Sequence, residues 1–70
     1  MEVIGKNLIK INHSFMPTFI DVNHITSFKV KETSKYGDKT IIITCDSGEN
    51  FYVNKDVEKN LEILISLKVQ

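Results

Sequence analysis

Between Asn7 and Val53 short apolar runs alternate with turn-forming residues at intervals of roughly ten positions, the spacing of consecutive short strands. In Asn7-Leu8-Ile9-Lys10-Ile11-Asn12 the period of two puts Ile9 and Ile11 on one face and Lys10 on the other, which predicts a first strand. Asn12-His13-Ser14 is turn chemistry and closes it. The apolar run then resumes from Phe15 to Val22. Pro17 donates no ladder hydrogen bond and suits an edge or a strand start, so a second strand is expected after it. Asn23-His24 interrupts the run, and Ile25 to Glu32 alternates again, with Phe28 and Val30 facing one way and Lys29 and Lys31 the other. Beyond the loop Ser34-Lys35-Tyr36-Gly37-Asp38, the almost wholly β-branched stretch Lys39 to Cys45 predicts the central strand. Asp46-Ser47-Gly48-Glu49 is a tight reversal into Asn50-Phe51-Tyr52-Val53, so the last two strands should pair as a hairpin.

From Asn54 the period becomes helical. Asn54 is a candidate cap, Asp56 and Glu58 suit the positive end of the dipole, and Val57, Leu61, Leu64 and Ile65 form one stripe of a helix running to about Leu67. Ile63 and Leu67 widen that stripe to about half the circumference, more than one sheet face covers, while Lys59, Glu62 and Ser66 line the solvated side. Ile63 and Leu67 are therefore the candidate oligomer interface. The expected architecture is α+β: a small antiparallel β-meander of about five strands with one C-terminal amphipathic helix, in a single domain over residues 1–70.

A chain of 70 residues, 41% hydrophobic and 26% charged, is apolar enough to fold. It is also short enough that only ~60% of its unfolded surface is buried, which makes self-association a common remedy. Nine lysines balance nine acids and there is no arginine, so neither a global positive field nor the planar fork that reads bases and clamps phosphates is present. Ten isoleucines and six asparagines beside those lysines fit an AT-rich genome, as in a low-GC bacterium or its phage. No uninterrupted aliphatic run exceeds the three residues of Ile41-Ile42-Ile43, far below the ~20 residues of a membrane span. The start Met1-Glu2-Val3-Ile4-Gly5-Lys6 lacks the pattern of a secretory signal, and one cysteine fits a reducing compartment, so a cytoplasmic protein without membrane contact is expected.

Candidate chemistry is sparse. Cys45, His13 and His24 are of metal-ligating type, but a lone Cys and two widely spaced His do not match the close ligand pairs of structural zinc, and no metal or cofactor is expected. No nucleophile elbow surrounds Cys45 or a serine, and Gly5, Gly37 and Gly48 stand singly rather than in a phosphate-cradling loop, so the chain is expected not to be an enzyme. Lys29, Lys31, Lys35 and Lys39 cluster near Tyr36, a pattern able to meet a small ligand or single-stranded nucleic acid. Glu32 and Asp38 cancel part of that field and argue against nucleic acid as the partner. Phe15, Met16 and Phe19, flanking Pro17, are the candidate surface for another protein.

At Val22-Asn23-His24-Ile25, Lys39-Thr40-Ile41-Ile42-Ile43-Thr44 and Ser47-Gly48-Glu49-Asn50-Phe51-Tyr52-Val53 leading into Val57-Glu58, the chain resembles the FlbD-type small flagellar proteins over roughly residues 7–67. The resemblance implies a small cytoplasmic accessory protein of flagellar function with no assigned catalysis. The leading expectation is thus a non-catalytic protein-interaction module acting as a homo-oligomer, with itself and another protein as partners. The alternative is a phage-type inhibitor that blocks a host protein or sequesters a small nucleotide-like ligand between subunits.

Overall fold

A computed structural model of the chain describes residues 1–13 and 15–69, so that Ser14, in the first expected turn, lies outside the described residues. Six strands precede the helix: β1 (Glu2–Ile4), β2 (Leu8–His13), β3 (Met16–Asp21), β4 (Ile25–Glu32), β5 (Lys39–Cys45) and β6 (Asn50–Val53), followed by α1 (Val57–Val69). They form two three-stranded antiparallel sheets, β1-β2-β3 and β4-β5-β6, rather than one five-stranded meander. The extra strand, β1, is only three residues long and gave no periodicity to read; Gly5, at φ 69, turns it back onto β2.

The break between the sheets is a corner at Val22–His24, a single turn of 3₁₀ helix. Asp21 caps it, its Oδ1 accepting from the Asn23 N–H at 2.9 Å, while the buried Val22 donates its own N–H to the Asn7 carbonyl at 2.7 Å. Asn23-His24 therefore ends one sheet and starts another, where a simple interruption between neighbouring strands was expected. β3 includes Pro17, opposite Asn12, because β3 is an edge strand and can hold a residue without an N–H. β4 and β5 have the expected bounds, and β5 is central in its sheet. The β5–β6 hairpin forms as predicted, closed by the Cys45 N–H to the Glu49 carbonyl and by Gly48 at φ 90.

The core is built from the inward positions of both sheets: Ile9, Ile11 and Ile20 from the first, Ile25, Ile41, Ile43, Cys45 and Val53 from the second, with Val22 from the corner and Leu64 from the helix. Leu64 is fully buried, with Val57, Leu61 and Leu67 packed partly against the same cluster. Ile65, expected in that stripe, is 48% exposed. At 100° per residue Asn60 lies nearer the Leu64 direction than Ile65 does, and the buried Asn60 takes that place. The helix starts at Val57 rather than at an Asn54 cap, because the chain turns first through Asp56 at φ 48. Asn60 holds that turn from the helix side: its Nδ2 donates to the Lys55 carbonyl at 2.8 Å and its N–H to the Asp56 carbonyl at 2.9 Å. At the other end the Lys68 ammonium donates to the Ile25 carbonyl at 3.0 Å, a cation placed at the negative end of the helix. No helix among the described residues is long and apolar enough to cross a membrane.

Candidate interaction surfaces

β-strand parity decides which apolar side chains reach solvent. On β2 and β3 the inward set is Ile9, Ile11, Thr18 and Ile20, and the pairings Ile9–Ile20 and Ile11–Thr18 put them side by side. The outward set then includes Ile4, Leu8, Lys10, Pro17, Phe19 and Asp21, joined by the pairs Ile4–Leu8, Leu8–Asp21 and Lys10–Phe19. Phe19 is 57% exposed, and Leu8 and Ile4 beside it are exposed as well. Met16, also exposed, has the opposite parity and projects on the other side of the sheet, beyond the end of the core. Phe15 is fully exposed and holds a left-handed backbone conformation, φ 65, that bulky residues rarely adopt. All three residues of the expected partner surface are therefore on the outside, but they face different directions. Phe15 overhangs an open groove of about 820 Å³ bounded by Met1, Ile11, Val53 and Asp56, with the buried Asn60 in its lining.

The two sheets meet where β2 approaches β6. His13 stacks on Tyr52, ring centroids 6.0 Å apart and 19° between planes, and meets the edge of Phe51 at 5.5 Å. The Tyr52 N–H donates to His13 Nδ1 at 3.4 Å, which places the ring proton on Nε2. That contact occupies the outer side of β6 and ties the first hairpin to the second sheet.

The lysine cluster is spread rather than focused. Lys29 and Lys31 lie on the outer face of the second sheet, opposite Ile42 and Thr40, whereas Lys39 pairs with Glu32 on the other parity. Lys35 extends over the Tyr36 ring at 5.3 Å, so the exposed aromatic at the loop tip already has a cation on it. Asp38 is held in the same loop by the Ser34 hydroxyl at 2.9 Å. On the helix, Leu67 packs partly on the core, and Ile63 joins it beside Val3 and Lys59 around a shallow hollow of about 420 Å³.

The chemistry-bearing residues also separate. Cys45 is buried on β5, and desolvation, reinforced by Asp46 and Glu49, raises its thiol pKa and disfavours the thiolate. His24 lies on the corner with Nδ1 2.8 Å from Asp46 Oδ2. Among the described residues no cluster of His, Cys, Asp and Glu is arranged to hold a metal ion. The Asp46 hydrogen bond and charge, with Asp21 adding a smaller share, raise the His24 pKa above 6.5. The stabilisation from this pair is therefore complete below pH 6.5 and is lost as pH rises through the raised value. Both partners are largely exposed, so the contribution to folding is small. In an NMR titration Asp46→Asn should return the His24 midpoint toward 6.5; an unmoved His24 would show that Asp46 is not its partner.

No family model matches the chain, and no curated protein or solved structure matches it either.

Proposed function

We propose that this protein is a non-catalytic interaction module that works as a homo-oligomer and presents the assembled surface to another protein. The observation that carries the reading is the run from Phe15 to Phe19, where Phe15, Met16 and Phe19 are all more than half exposed on and beside one edge strand. Exposed apolar side chains gathered along one short segment cost solubility and suit a place where a partner is met. Size points the same way. A compact monomer of 8.0 kDa exposes about 4,450 Å² by the usual scaling, and this chain exposes 5082 Å². The likeness of Val22–Ile25, the central strand and the Gly48 hairpin to FlbD-type proteins favours an accessory role of the flagellar kind within this reading.

Multi-angle light scattering at high micromolar concentration tests the first half. The expected mass is a small multiple of 8.0 kDa, unchanged by Lys59→Glu on the solvated side of the helix. A strictly monomeric mass throughout the concentration range would remove the oligomer and with it the reading.

A further inference from the structure

We infer that the self-association proposed above, on which this inference rests, runs through the free edge of β3: a second copy adds its own β3 in antiparallel register with Phe19 at the two-fold axis. The backbone groups that β3 turns outward decide the pairing. The Val22 N–H donates to the Asn7 carbonyl. Hydrogen-bonded and non-bonded pairs alternate along an antiparallel ladder, so the next bonded pairs inward are Ile9–Ile20 and Ile11–Thr18. Leu8–Asp21, Lys10–Phe19 and Asn12–Pro17 are then the non-bonded pairs, whose N–H and C=O groups turn away from each other. On β2 those groups meet β1, in agreement with the pairs Glu2–Lys10 and Ile4–Leu8. On β3, an edge strand, the groups of Pro17, Phe19 and Asp21 point to solvent. Pro17, which has no N–H to offer, falls in this outward set, as a proline in an edge strand should.

The other edges are guarded. β4 carries Lys29 and Lys31, β1 is three residues long, and β6 is met on its outer side by His13. On β3 the proline blunts only the first half and Asp21 is the one charged residue; Lys10, paired with Phe19 on the outer face, stands on β2, on the side away from the free edge.

Register follows from the same alternation. A two-fold axis perpendicular to the sheet keeps inward residues inward, so only shifts of two residues are allowed. With Thr18 at the axis, Phe19 would face Pro17 of the second copy and lose half of each bonded pair. With Ile20 at the axis the overlap shortens and would run into the 3₁₀ corner at Val22. With Phe19 at the axis, each Phe19 N–H donates to the Phe19 carbonyl of the second copy. The Asp21 N–H of each copy donates to the Pro17 carbonyl of the other, and the proline's missing donor is the only loss. The two exposed rings then sit as a direct cross-strand aromatic pair on the outer face. The occupant is a second copy rather than an unrelated peptide because this register matches the strand to itself: the aromatic meets an aromatic, and the residue without a donor meets the end of the strand.

Amide hydrogen exchange, read residue by residue on the full chain, tests this together with light scattering. Protection of the Phe19 and Asp21 amides should rise at least tenfold between low and high micromolar protein, as the dimer fills, while the Phe28 and Val30 amides, which by the same alternation point outward from the β4 edge, stay unchanged. Phe19→Lys, at an exposed position that the monomer tolerates, should weaken association at least tenfold, and Ile63→Glu should not. A wild type that remains monomeric overturns both the oligomer and this edge. A dimer that persists in Phe19→Lys, dissociates in Ile63→Glu and shows no concentration-dependent protection at Phe19 overturns the β3 edge alone and moves the interface to the helix.

Discussion

Leu64→Ala is expected to lower the melting temperature by about 10–25 °C, the largest effect of any single truncation on the helix. Leu64 is fully buried, and it is the helix residue that belongs to the closed core cluster formed by both sheets. Truncating such a leucine removes about 2–5 kcal/mol, through lost transfer energy and the cavity left behind. A chain of 70 residues has roughly 4–10 kcal/mol of stability in total, so the loss is a large fraction of what holds it folded. Ile65→Ala is the paired measurement. Ile65 is 48% exposed, and its truncation should change stability by no more than about 0.5–1 kcal/mol. Equal losses in two thermal or urea melts would mean that the helix presents a different face to the sheets.

The second large effect belongs to Asn60, a polar side chain that is 3% exposed. Its Nδ2 satisfies the Lys55 carbonyl just before the helix, where the chain passes through the left-handed Asp56. Asn60→Ala leaves that carbonyl without its donor and opens a small void, for an expected cost of about 2–3 kcal/mol. Asn60→Asp keeps the shape but sets a carboxylate oxygen against the carbonyl. Its cost should be at least as large near neutral pH and should shrink as the carboxyl protonates in acid. A pH-independent loss in that variant would show that the Lys55 contact does not organise the turn. Because Val53 and Asp56 also border the open groove beside Phe15, loss of the Asn60 contact would alter that groove along with the helix start.

The parts of this protein that were legible in the sequence are those whose signal is local. β4 and β5 were readable to the residue because Phe28 and Val30 alternate with Lys29 and Lys31 in one and β-branched residues run almost unbroken through the other, although a register shift between Ile25 and Ser27 interrupts the alternation at the start of β4. The Gly48 hairpin and a terminal helix were readable for the same reason, since turn chemistry and a 3.6-residue period need only their own neighbours. The exposure of Tyr36 and of the lysines around it likewise follows from loop composition and the outward parity of β4.

What only the tertiary structure decided is where those elements bury their faces. β1 is too short to carry a period and exists because β2 supplies its partner. The corner at Val22–His24 cannot be told from a short loop until Val22 is seen inside and bonded to Asn7, and that corner alone turns one expected meander into two sheets. Apolar periodicity does not reveal a buried asparagine that displaces Ile65; a polar side chain can occupy the core once a particular carbonyl, here that of Lys55, lies within reach. Phe15, Met16 and Phe19 were identifiable as a candidate surface, but hydrophobicity does not distinguish core from interface. The exposure of Phe19 and the outward turn of its backbone follow from the strand parity and hydrogen-bond alternation that pairing with β2 imposes, whereas Met16 is exposed because it lies beyond the end of the core and Phe15 because it precedes the strand in a left-handed conformation.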